Sequence, residues 1–104
     1  MGSRMMSAFA QKNQKIAEGL IVAGCRDYGD YPMNCHDHLN TIKELKVLDI
    51  YGGGDSKDSN SASDRSHLTS SKYVQKSIKN ANHKFDGYNQ ELTNTTSNWL
   101  SKNF

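Results

Sequence analysis

Between Val74 and Trp99 the sequence carries an apolar stripe, Val74, Ile78, Ala81, Phe85, Tyr88, Leu92, Thr95 and Trp99, whose steps alternate between four and three residues. That rhythm is the a/d pattern of a helix burying one narrow seam against a second helix. It predicts a single helix from Ser66 to Asn103, and at ~1.5 Å per residue such a rod is about 57 Å long. The chain has 104 residues. Folded compactly, a chain of that size is roughly 35 Å across. A rod of this length must break and fold back, or leave the globule and find a partner. Gly87 costs about 1 kcal/mol against alanine inside a helix. Yet the seam passes through Phe85 and Tyr88 without a change of phase, so one continuous or gently kinked helix is expected.

Composition points the same way. Apolar residues make up 35% of the chain and the mean hydropathy is −0.81. Little apolar material is available for an independent core, which favours narrow helical seams completed by a second chain. The expected fold class is therefore all-α. It is a small helical protein with a long C-terminal helix, in a hairpin or bundle closed by oligomerisation as a coiled-coil homodimer.

The remaining segments fit that plan. Residues 1–5 read as an expression-tag remnant, leaving a single helical domain over 6–104. Ser7 is a suitable N-cap and Gly24 a suitable terminator for a helix over Ser7 to Ala23. Asn13 falls on its seam, where it would fix register or meet water. Residues 25–34 (CRDYGDYPMN) are rich in turn formers. Thr41 to Glu44 has the spacing of a capping box. It opens a helix that runs to Tyr51 and stops at Gly52, with a strand over Leu45–Tyr51 as the rival. Residues 52–65 contain a single apolar residue, Ala62, and read as a flexible linker.

Candidate chemistry is sparse. Cys25, Cys35 and His38 supply zinc-ligand residue types, although adjacent Cys35 and His36 cannot readily aim at one ion. The same two cysteines could instead form one disulfide in an oxidising compartment. With nine residues between them, they resemble half of the paired motif of mitochondrial intermembrane-space proteins; the second half is missing. Val22-Ala23-Gly24-Cys25 resembles the lipobox of bacterial lipoproteins, which implies a lipidated Cys25. Glu18, however, interrupts the apolar segment that should precede it. Val47 to Asp55 (VLDIYGGGD) resembles the glycine-rich first loop of Rossmann-type methyltransferases. The residues that follow read as helix, with no acidic strand end to hold a ribose, so no enzyme is inferred.

On the predicted helix, Lys72, Lys76, Lys79 and His83 form a basic stripe beside Arg65. The formal net charge of +2 is too small to imply nucleic acid by itself. The expected function is a non-catalytic protein–protein interaction module, an adaptor, inhibitor or immunity-type protein. It would act through Phe85, Tyr88, Leu92 and Trp99 as a homo-oligomer with a protein partner and no cofactor. The alternatives are a nucleic-acid-binding regulator using Arg65, Lys72, Lys76 and Lys79, and a zinc- or disulfide-stabilised module. No run is long and apolar enough to cross a membrane. A cytoplasmic location is expected, with a lipoprotein or secreted form as the alternative.

Overall fold

The central element is a strand where a helix is expected. The structure, a computed structural model, describes residues 18–27 and 35–104. The tag remnant, most of the Ser7–Ala23 helix and much of the first loop lie outside the described residues. Strand β1 (Gly19–Ala23), helix α1 (Cys35–Asn40), strand β2 (Lys46–Gly52), helix α2 (Ser56–Asp64), a 3-10 turn (Ser66–Leu68), strand β3 (Tyr73–Ile78) and helix α3 (Asn89–Asn103) follow in order. The strands form a parallel sheet in the order β1-β2-β3. The fold is α/β, and the all-α and coiled-coil expectations are overturned.

β2 lies in the middle of the sheet, and a middle parallel strand is covered on both faces. That explains the unbroken run Val47, Leu48, Asp49, Ile50, all at most 1% exposed. Such a run has no alternation to betray a strand. The capping-box reading fails for a specific reason: the Thr41 hydroxyl donates 2.9 Å to the His38 carbonyl, closing α1 instead of opening a new helix.

Residues 52–65 are not a linker. Asp55 caps α2, its carboxylate accepting the Asp58 amide at 2.9 Å. The helix buries Asp58, Ser61 and Ala62, and Arg65 follows in phase, 0% exposed. These positions have helical spacing, but their chemistry is polar, so hydropathy does not see the buried face.

The predicted C-terminal rod is broken into the 3-10 turn, β3 and α3. Most of its stripe survives as a shared core even so. Ile78, Ala81, Phe85 and Trp99 pack with Leu48 and Ile50, with Val74, Tyr88 and Leu92 against them. Val74 and Ile78 reach that core from one face of β3, the others from the connection and α3. The seam identified residues that meet, and misread the backbone that brings them together. Trp99 is only 7% exposed within the single chain, and the extents are 35 × 34 × 23 Å, so no partner is needed to cover it.

Two cores therefore flank the sheet. Leu20, Val22, Val47 and Tyr73 pack with Leu39, Ile42, Leu45 and the two cysteines on the face of α1. Right-handed crossovers in a 1-2-3 order place α1 and α2 on the same face, leaving α3 for the other. α3 is tied at its end by Lys46 Nζ, which donates to the Asn103 carbonyl at 3.0 Å, a cation at a helix C-terminus.

A charged cluster is built into the α2 face. Asp49, 0% exposed, accepts from Arg65 Nε at 2.7 Å and Nη2 at 2.9 Å, from the Tyr73 hydroxyl at 2.5 Å and from Gln75 Nε2 at 3.2 Å. Register puts Asp49 opposite Gln75, two pairs along from Val47 and Tyr73, so the donors arrive on one face. Burial pulls the Arg65 guanidinium downward, but the Asp49 hydrogen bonds and charge outweigh it and hold the group charged. Burial, then the Asp49 charge, pushes the Tyr73 phenol far above its usual range, so it remains a donor.

Candidate functional site: a buried aspartate between arginine and histidine

The carboxyl ends of all three strands converge on one polar group. In parallel sheets this edge is where ligands bind, because the loops leaving successive strands gather there. Arg26 follows β1, Asp55 and Asp58 follow β2, and His83 follows β3.

Asp58 is the hub, its side chain 0% exposed. One oxygen accepts from Arg26 Nε at 2.5 Å, and the other lies 2.6 Å from His83 Nδ1. A carboxylate only accepts, so the network assigns the proton to Nδ1 and leaves Nε2 as the basic nitrogen. Nε2 has no hydrogen-bond partner among the described residues, and the His83 side chain is 36% exposed. Arg26 also reaches Asp55, with Nη2 3.1 Å from Oδ2. A buried, anchored carboxylate thus holds one edge of a solvent-facing imidazole.

The glycine-rich loop after β2 serves this arrangement and is not an open cradle for a cofactor. A Cβ on Gly52 would lie 2.4 Å from the carbonyl oxygens of both Ala81 and Asn82, and one on Gly54 would lie 2.7 Å from the Asn80 carbonyl. The amides of Gly53 and Gly54 donate to the Ile78 and Ala81 carbonyls. Only glycine lets the segment after β3 approach so closely, and that approach carries His83 onto Asp58. Gly24, at φ +65°, completes the fit, since a Cβ there would meet the His83 ring at 2.9 Å. The connection is braced beyond His83 by Asn82, whose Oδ1 accepts the amides of Lys84 and Asp86 at 3.1 and 3.0 Å.

The residues singled out from sequence are distributed otherwise. Phe85 and Trp99 are buried, and Tyr88 and Leu92 pack against the same core, so the seam is internal. Arg65 is fully buried on Asp49 and cannot meet a phosphate. Lys72, Lys76 and Lys79 are exposed along and beside β3, where no helical stripe exists. Cys25 and Cys35 are bonded to each other, and a disulfide is not a thiolate ligand. His38 is a buried residue of α1. Among the described residues there is no group of three or more metal-ligating side chains. Asp58, Asp55 and Arg26 were missed, and His83 was seen only as part of the basic stripe. The usable signal was the strand-like run ending in Gly-Gly-Gly-Asp, with a histidine after the next strand.

Asp55 makes the site's frame acid-sensitive. The Asp58 amide lowers its carboxyl most, burial pushes back, and the Arg26 charge lowers it further. A depressed carboxyl contributes stability above its unfolded value, 3.8, and loses it as pH falls through the lower folded value. Hydrogen exchange at the Asp58 amide should therefore accelerate as pH falls below that value, after correction for intrinsic rates. In Asp55→Ala it should be fast throughout; a pH-independent protection in both would contradict the assignment.

Comparison with family models, with curated proteins and with solved structures finds no match to this chain.

Proposed function

We propose that the Asp58–His83 pair is an acid–base centre, in which His83 Nε2 takes a proton from a water or a hydroxyl nucleophile during hydrolytic or acyl-transfer chemistry. The observation that carries the reading is the 2.6 Å contact between a fully buried carboxylate and the Nδ1 of a partly exposed ring. A carboxylate in that position fixes the tautomer, orients the ring and stabilises the imidazolium formed on proton uptake. Arg26 holds the carboxylate's other oxygen, so Asp58 is positioned from both sides.

The placement supports the same class of chemistry. An acid after one parallel strand and a histidine after the next is the chain order of the corresponding pair in α/β-hydrolases, where the nucleophile comes earlier in the chain. The parallel is one of arrangement alone. A membrane-crossing helix is absent among the described residues, and the Cys25–Cys35 disulfide supports a non-reducing compartment in place of the cytoplasm.

The test is hydrolysis of p-nitrophenyl acetate by the purified chain. Wild type should exceed the buffer rate, and His83→Gln and Asp58→Asn should each lose about tenfold or more of that excess while keeping the wild-type circular dichroism. Equal rates in wild type and a folded His83→Gln would overturn the proposal.

A further inference from the structure

One pair of imidazoles takes no part in the Asp58 site. His36, in the first turn of α1, and His67, in the 3-10 turn, bring their Nε2 atoms to 3.2 Å, with ring centroids 5.1 Å apart. We propose that these two histidines form a binding site for a divalent transition metal of the zinc and nickel class.

The distance is the first argument. Two nitrogens bound to one ion at ~2.0–2.1 Å stand about 3.3 Å apart at the tetrahedral angle and ~2.9 Å apart at the right angle of octahedral or square sites. The observed separation falls between those limits. Imidazole is also the ligand type these ions prefer over oxygen-loving calcium or magnesium. Two protein ligands leave the remaining positions to water, so the site is an open one.

Preorganisation is the second argument. Both rings project from rigid supports. Cys35 precedes His36 and is fixed by its disulfide to Cys25. The His36 amide also donates to Asp27 Oδ1 at 2.7 Å. His67 follows closely on Arg65, whose side chain is locked on Asp49. Asp27 links the two supports, because the same Oδ1 lies 3.6 Å from Arg65 Nη1. Little entropy remains to be lost when an ion draws the two rings together. The Asp37 carboxylate stands 3.6 Å from His36 Nδ1, the ring nitrogen not used by the site, where an outer carboxylate helps to orient a ligating ring.

Calorimetric titration of the oxidised chain with Zn2+ and with Ni2+ tests the site. Wild type should bind one equivalent, and His36→Ala and His67→Ala should each weaken binding by ~tenfold or more, without change in circular dichroism. The thermal midpoint of wild type should rise with added Zn2+ and that of His36→Ala/His67→Ala should not. The same 3.2 Å also suits an N–H···N hydrogen bond between neutral rings. In that case wild type shows no saturable binding, or binds no better than the double variant, and either result overturns the proposal.

Discussion

Arg65→Met is expected to lower the unfolding free energy by about 3–5 kcal/mol, the cost of leaving one partner of a buried ion pair uncompensated. The change removes two charge-assisted hydrogen bonds to Asp49 at 2.7 and 2.9 Å and leaves that carboxylate at 0% exposure in the middle of β2. Tyr73 and Gln75 still donate to it, but neutral donors do not replace a guanidinium charge in a low-dielectric interior. Methionine keeps much of the stem's packing, so the loss reports the charge and not a cavity. Asp49→Asn/Arg65→Met should recover part of the stability, because it removes both charges while the amide oxygen at residue 49 can still accept from the Tyr73 hydroxyl. Urea unfolding of the three proteins decides the matter. A loss below about 1 kcal/mol in Arg65→Met would place the pair among interactions of surface strength and contradict its role.

Cys25→Ala/Cys35→Ala is expected to cost about 2.5–3 kcal/mol, from loop-closure entropy restored to the unfolded chain. The bridged residues are ten apart in sequence, and both are at most 1% exposed in the core beneath α1. The loss should appear as a lower urea midpoint in the double variant, and in wild type once dithiothreitol has reduced the bond. The consequence extends to the site, because Arg26 follows Cys25 directly and holds Asp58 and Asp55. In Cys25→Ala/Cys35→Ala the hydrolytic rate should therefore fall even at temperatures where the chain remains folded. An unchanged midpoint would show that the core alone fixes this end of the molecule.

The cysteine pair is visible in the sequence as a candidate disulfide, whereas the Asp49–Arg65 pair is not. The stripe from Val74 to Trp99 was legible as a set of residues that share a core, and that set holds apart from Thr95. Its helical rhythm was misleading, because β3 contributes Val74 and Ile78 two turns of the pleat apart while α3 contributes Leu92 and Trp99 with helical spacing. Nothing in the spacing marks where one period replaces the other. β2 failed for the opposite reason. A strand buried on both faces has no polar alternation, and the charge at its centre, Asp49, is balanced by Arg65 sixteen residues away, a pairing that spacing does not reveal.

The site was less legible still. The buried face of α2 consists of Asp58, Ser61, Ala62 and Arg65, so the segment carried the composition of a linker while obeying the geometry of a helix. Its polar residues are buried because each finds a partner: Asp58 with Arg26 and His83, Arg65 with Asp49, and Ser61 Oγ with the Asp27 amide at 3.0 Å. Buried polar groups require such partners, and partners distant in sequence cannot be read from composition. The three glycines were visible, but their meaning was reversed. They admit the chain's own backbone after β3, and this close approach sets the position of His83.

Nitrogen-15 NMR of the His83 ring at neutral pH tests the acid–base assignment most directly, since it reads which nitrogen carries the proton. In wild type the proton should reside on Nδ1, facing Asp58, with Nε2 bare and open to solvent. In Asp58→Asn that preference should weaken or reverse. A ring protonated on Nε2 in wild type, or one whose tautomers are indifferent to residue 58, would contradict the proposed centre.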